Sequence, residues 1–255
     1  MRGDGSGRPT AAERERCEAA IVDEATPGYV VIRALIALGD ETPERLARST
    51  AMGREFVANI RRRVADGKVA ALLRERPTTV ERVLETATGQ LVAAGRYAFE
   101  IGNVSAALGV PRRTLHRLFK VHDLLEACQR RASTIWLGRF TYRIQRTDAD
   151  DVGRLFLVLD AIFDWVGSDR FHGDQMLRPA PSADARADEL REHLAAVERF
   201  ATGLAEQAQI LDPRAFGVFV AVNVAGAAAW IDHREEAHAL AIAFVERLTG
   251  ARRRS

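Results

Sequence analysis

The chain has 255 residues, 47% hydrophobic and 28% charged, the composition of a globular protein that can bury a sizeable core in two or three compact domains. A net charge of +2 is nearly balanced, so any nucleic-acid face must come from local clustering of cations. Cys17 and Cys128 fit no metal or redox spacing and read as free thiols of a reducing cytoplasm. No apolar run reaches the roughly eighteen residues that span a bilayer. The N-terminus has no apolar signal core, so the expected location is cytoplasmic, with no membrane partner.

Residues 1–9 form a tail containing Gly and Arg, with nothing to bury and an expectation of disorder. Thr10 and Glu13 have the Thr-x-x-Glu spacing of a capping box, opening a helix expected to reach Glu24. Thr26-Pro27-Gly28 breaks it, and residues 29–38 make an apolar helix ended by Gly39. Thr42 is a cap followed by Pro43 at the first helical position, where a missing amide does no harm. Residues 42–69 hold a short helix, a turn near 51–53 and a longer helix with Phe56, Val57, Ile60 and Val64 on one face. Arg54, Arg61, Arg62, Arg63 and Lys68 crowd this stretch, and two readings stand side by side. It is similar in outline to the helix-turn-helix of winged-helix regulators, with Asp66-Gly67-Lys68-Val69 beginning a wing strand; alternatively it is a small helical domain whose arginines are merely solvated. A short polar linker follows at 74–79, and the N-terminal third is not read as a repeat of what comes next.

Residues 78–131 organise the chain. Thr78 and Glu81 repeat the capping-box spacing, and Val80, Val83, Leu84, Ala87 and Leu91 give the helix that follows one apolar face, ended at Gly95. Two short helices come next, 100–108 and 111–119, with a turn at Gly109-Val110. Such a pair forms a helix-turn-helix, whose second helix enters the major groove of double-stranded DNA N-terminus first. In that second helix Leu115, Leu118 and Phe119 can pack inward, leaving Arg112, Arg113, Thr114, His116 and Arg117 outside. No carboxylate occurs between Ser105 and Val121. Arg can grip guanine through two parallel hydrogen bonds, and Thr suits thymine or a phosphate. A solvated basic face on a core helix is the bland alternative; the turn, the helix spacing and the absence of acids together favour DNA.

The run resembles the DNA-binding domain of the tetracycline-repressor (TetR) family. The resemblance rests on Gly95, Val104 to Leu108, Gly109-Val110, Arg113-Thr114-Leu115-His116, Phe119 and the helix opening Asp123-Leu124-Leu125. Departures are Phe99 where the family often has a capping Thr, Pro111 at the usual Ser cap, His116 for Tyr, and His122 where a phosphate-binding Lys is frequent. The resemblance implies DNA contacts from Arg112, Arg113, Thr114, His116, Arg117, Lys120 and His122. It also implies a C-terminal regulatory domain that takes a small-molecule effector.

Beyond the recognition helix the pattern is helical to the end. A long helix over 122–146 is lined by Leu124, Leu125, Cys128, Ile135, Trp136, Phe140 and Ile144. Asp148, Asp150 and Asp151 precede the next as caps and dipole partners, with Leu155, Leu159, Ile162, Phe163 and Val166 on its buried face. Residues 171–184 are a short helix or loop; Leu190, Leu194, Val197, Ala201, Leu204 and Ala208 then keep a three-four spacing. Asp212-Pro213 starts a helix that is apolar nearly all round, from Phe216 through Val218, Phe219, Val220, Val222 and Val224 to Trp230. A helix hydrophobic on every side needs cover on every side, which predicts a homodimer. Asp232 and Glu235 cap a last helix with the stripe Ala237, Leu240, Phe244 and Leu248.

Enzyme signatures fail. His233 and His238 are five apart rather than four, no Ser sits in a Gly-x-Ser-x-Gly elbow, and no phosphate-cradling loop is present. Trp136, Phe140, Phe163, Trp165 and Phe200 read either as plain core or as the lining of an effector pocket, which the family resemblance favours. The expectation is therefore an all-α, non-enzymatic transcriptional regulator, with neither cofactor nor metal. Its parts are a tail (1–9), an N-terminal helical module (10–76), a TetR-like helix-turn-helix domain (77–125) and a helical effector and dimerisation domain (126–250). A ligand-responsive repressor would bind a palindromic operator as a homodimer; the alternative is a sequence-tolerant DNA-binding or scaffolding protein without an effector.

Overall fold

The computed structural model describes residues 8–94, 99–168, 183–226 and 233–250, and every regular element among them is helical, with no strand. The chain divides into two compact units, one ending at Tyr142 and the other beginning at Arg143. None of the described helices is long and apolar enough to cross a membrane.

The first unit holds α1 (Ala11–Val22), α2 (Gly28–Leu38), α3 (Pro43–Thr50), α4 (Arg54–Ala65), α5 (Val69–Arg74), α6 (Thr79–Ala94), α7 (Ile101–Leu108), α8 (Arg112–Leu118) and most of α9 (Val121–Gln145). Both expected capping boxes form: the Glu13 and Glu81 amides donate to Thr10 and Thr78 Oγ1, each at 3.3 Å, and the Thr10 and Thr78 amides donate back to the Glu carboxylates. Helix α1 stops at Val22 rather than Glu24 because the Asp23 carboxylate accepts the Ala25 amide and Thr26 hydroxyl, both at 2.9 Å, and turns the chain. Helix α2, with eight of its eleven residues buried, is the centre of the unit.

One core runs from Cys17 on α1 to Cys128 on α9, so segments 10–76 and 77–125, separate in the sequence reading, pack as a single body. Arg33 on α2 rivets them. It is 2% exposed, and its Nε and Nη2 donate to the two oxygens of fully buried Glu81 on α6 at 2.7 and 2.6 Å. Its remaining N–H groups donate to the carbonyls of Leu72, Glu75 and Arg76, at 2.9, 3.0 and 3.3 Å. All five guanidinium donors are thereby satisfied.

Two expectations for this unit are corrected. Val69 opens a helix, α5, and no wing strand follows Asp66-Gly67-Lys68. Val69 and Leu72, three apart, are both buried, the helical spacing that a strand would split between two faces. The second correction is that a repeat exists in the backbone although side chains hide it. Helices α3 and α7 are both eight residues long, each ends in a left-handed residue, Ala51 (φ 56°) or Gly109 (φ 64°), and each leads through two more residues into α4 or α8.

The second unit contains α10 (Asp151–Val166), α11 (Ala183–Gln207), α12 (Pro213–Gly226) and α13 (Arg234–Thr249). Asp150 caps α10, its Oδ1 accepting the Gly153 amide at 2.6 Å. Leu155, Leu159, Ile162, Phe163 and Val166 are buried as the spacing predicts. Helices α11 and α12 lie unusually close, because a Cβ on Gly217 would come within 2.7 Å of the Glu198 carbonyl oxygen. The apolar stripe of α13 is corrected: Ala237, Ala241 and Val245 are buried, while Leu240 is 69% exposed. A strict four-residue step sets the face, so the larger Leu240 falls outside it. The expectations for the 1–9 tail before Arg8, for Gly95, for 171–182 and for Trp230 and Asp232 fall outside the described residues.

Candidate nucleic-acid interface

Helix α7 ends because Gly109 adopts φ 64°, ψ 26°, a conformation without steric cost only for glycine. The Val110 amide reaches back to the Ser105 carbonyl at 3.1 Å, and the Ser105 hydroxyl donates to the Val110 carbonyl at 2.6 Å. Ser105 thus locks both ends of the turn. Pro111 is the N-cap of α8; its ring holds φ at −55°, and it has no amide to leave unsatisfied.

Helix α8 has seven residues and a single fully buried anchor, Leu115. Arg113, His116 and Arg117 are exposed, Thr114 is half-buried, and Lys120 is exposed just beyond the helix. Among the described residues Arg113, Arg117 and Lys120 form no ion pair with a carboxylate. Arg112 is exposed too, with its guanidinium lying against Gly102. Leu118, expected inside, is 37% exposed, because α8 ends there and the chain turns extended at Phe119, which is half-buried against the core. His122 lies in the first turn of α9, and its side chain falls outside those described.

The N-terminal cations sort differently. Arg61 donates to the carbonyls of Gly39 and Glu41, closing the end of α2. Arg63 grips both oxygens of Glu75, at 2.6 and 2.5 Å, and this hydrogen bonding holds the Glu75 carboxyl below the usual carboxylate range. Lys68 meets Asp66 at 3.1 Å. Two of the five residues that made the stretch look like a DNA face, Arg61 and Arg63, thus join α2, α4 and the end of α5, while Lys68 pairs within its own turn. Arg54 and Arg62 remain exposed.

The five aromatics considered for an effector pocket are divided between the units. Trp136 and Phe140 stack on α9 with centroids 5.0 Å apart. Phe163 is buried on α10 against the His238 ring, 4.9 Å away, whose Nε2 meets Asp160 Oδ1 at 2.8 Å. Trp165 and Phe200 are half-buried on α10 and α11. A shallow groove in the second unit is lined instead by α12, with Ala215, Val218, Phe219 and Val222 on its floor and Asp212 and Arg214 at its edge.

Groups with reactive chemistry are quenched by burial. The Cys17 thiol is pushed up to about 12 and Cys128 to about 11, chiefly by desolvation, so neither is a thiolate at neutral pH. Burial alone lowers His193 to about 4 and keeps it neutral. No cluster of potential metal ligands occurs among the described residues. No family model, curated protein or solved structure matches this chain.

Proposed function

We propose that this protein is a sequence-specific DNA-binding transcriptional regulator resembling the tetracycline-repressor family, active as a homodimer on a palindromic operator. The observation that supports this reading best is the α7–Gly109–α8 pair, a short helix anchored by Leu115 that turns Arg113, His116 and Arg117 to solvent with no carboxylate beside them. Insertion of the α8 N-terminus into a major groove would set Arg113 and Arg117 against base edges and leave Lys120 to a phosphate. An effector bound in the second unit would change DNA affinity only through its differential affinity for two arrangements of the dimer. The exposed Val218 and Val222 of α12 support the dimer.

The test is the affinity for the best duplex selected from a random library against that for unselected DNA. A ratio of roughly a thousand or more at physiological salt is expected. A ratio near one would replace this proposal with sequence-tolerant binding or scaffolding, and undetectable binding to either duplex would remove DNA from the reading altogether.

A further inference from the structure

From the repeat in the first unit we infer that α3 and α4 form a second duplex-DNA reading unit, with Arg54, Glu55, Ala58, Asn59 and Arg62 as its contact face. The inference rests on the proposed role of α8, because it transfers that role between two pairs built alike. Three boundaries correspond at one shift, Pro43 with Ile101, Thr50 with Leu108 and Arg54 with Arg112, 58 positions in each case, while α4 runs to Ala65 and is five residues longer than α8. The turns correspond bond for bond. Ala51 donates to Arg48 at 3.3 Å and Met52 to Ala47 at 3.1 Å; Gly109 donates to Ala106 at 3.2 Å and Val110 to Ser105 at 3.1 Å. Gly53 and Pro111, the two N-caps, have φ, ψ of −67°, 149° and −55°, 140°.

The anchors and the outer faces of the two pairs match, although Ile60 is buried where its counterpart Leu118 is exposed. Leu46 and Val57 are buried as Val104 and Leu115 are. The five residues of the α4 face are exposed, as are Arg112, Arg113, His116, Arg117 and Lys120 at the shifted positions. The first arginine of each second helix leans on the second residue of the first helix: Arg54 sits 3.8 Å from Glu44, as the Arg112 guanidinium sits against Gly102. The twenty residues from Pro43 carry five arginines against two glutamates, and the twenty from Ile101 carry four cations and no acid, so both are net basic.

The α4 face differs in chemistry, which points to different bases rather than to a lost function. Asn pairs with adenine through two hydrogen bonds, Glu accepts from the cytosine amino group, and Ala meets the thymine methyl. Asn59, Glu55 and Ala58 hold those roles on α4, with exposed Arg62 for a phosphate.

The experiment uses the full-length protein and the best-bound duplex selected from a random library, and compares Asn59→Ala, Arg62→Ala and their double variant with Arg113→Ala/Arg117→Ala. Arg199→Ala, an exposed cation on α11, controls for charge alone. Asn59→Ala is expected to lose roughly tenfold in affinity for the selected duplex and little for random DNA. Arg62→Ala, which removes one phosphate contact from each copy of the dimer, should flatten the salt dependence by about 1.8. The double variant should lose a block of hydroxyl-radical protection that the α8 variant keeps. If the α4 variants match Arg199→Ala in affinity, slope and footprint while the α8 variant binds weakly, the inference is overturned and the proposed function stands. If the α8 variant binds like the unmutated protein while the α4 variants fail, α4 stands as the DNA contact and the role proposed for α8 falls. No change in either set overturns both.

Discussion

At the scale of single residues, the first unit turns on one buried ion pair. Arg33 and Glu81 are shielded from water, and the desolvation of both charges is offset by a two-pronged contact plus three backbone acceptors. Truncating one partner strands the other. Glu81→Ala is therefore expected to lower stability by about 3–5 kcal/mol, read as a shifted urea midpoint. Replacing both partners by apolar residues, Arg33→Met with Glu81→Leu, should recover only part of that loss, because the carbonyls of Leu72, Glu75 and Arg76 would still lack their donors. A loss below 1 kcal/mol for Glu81→Ala would mean that the pair does not hold the two segments together. The exposed pair Arg63–Glu75 has similar geometry and water on both partners, and contributes no more than about 1 kcal/mol. Sequence spacing identified Glu81 only as half of a capping box. Its second role depends on Arg33, 48 positions away, and no local pattern carries that information.

At the scale of elements, what was legible was punctuation. Gly109-Val110-Pro111, Thr42-Pro43 and Thr78-x-x-Glu81 each fix backbone geometry within a few residues, so the boundaries of α3, α6, α7 and α8 follow from them. The helix-turn-helix outline of residues 42–69 was legible, but its correspondence with α7–α8 was not, because its turn uses Ala51 where the second copy has Gly109 and the two outer faces carry different residues. That difference is itself testable. A non-glycine residue at φ 56° has its Cβ crowded by the backbone, so Ala51→Gly should stabilise by about 0.5–1 kcal/mol. Gly109→Ala should cost at least as much, with nothing within 4 Å of the new methyl to confuse the reading. Thermal unfolding of the two variants gives opposite signs if both residues hold the left-handed turn, and equal signs would remove the equivalence of the two turns. The wing strand failed for a different reason. Asp-Gly-Lys-Val marks a turn equally well before a strand or a helix, and only the burial of Val69 together with Leu72 selects the helix.

At the scale of the whole molecule, the exposed large apolar residues among those described in the second unit lie on or beside α12 and α13. Val218 is 42% exposed, Val222 59%, Leu240 69% and Leu211 97%. Phe219 and Phe244 touch at 4.3 Å, so the two helices meet there, and Val222 and Leu240 lie about one turn from that contact along their own helices. Sequence reasoning treated α12 as needing cover all round. The structure divides it more sharply: Phe216, Gly217, Val220 and Val224 are buried within the unit, while Val218 and Val222 are left in water. A second copy of the same surface would cover them in a two-fold arrangement. Because Val222 is exposed and lines the shallow groove, Val222→Asp can be made without disturbing the buried face, unlike any change at Gly217, where a Cβ would strike Thr202. An aspartate on each copy would bring like charges together in a desolvated contact. The dimer should weaken by at least tenfold, with the helical signal and melting of the separated chains unchanged. Sedimentation of the unmutated protein and the variant at micromolar concentration decides the matter. An unmutated protein that sediments as a monomer ends the interface argument, and with it the two-fold symmetry that a palindromic operator requires.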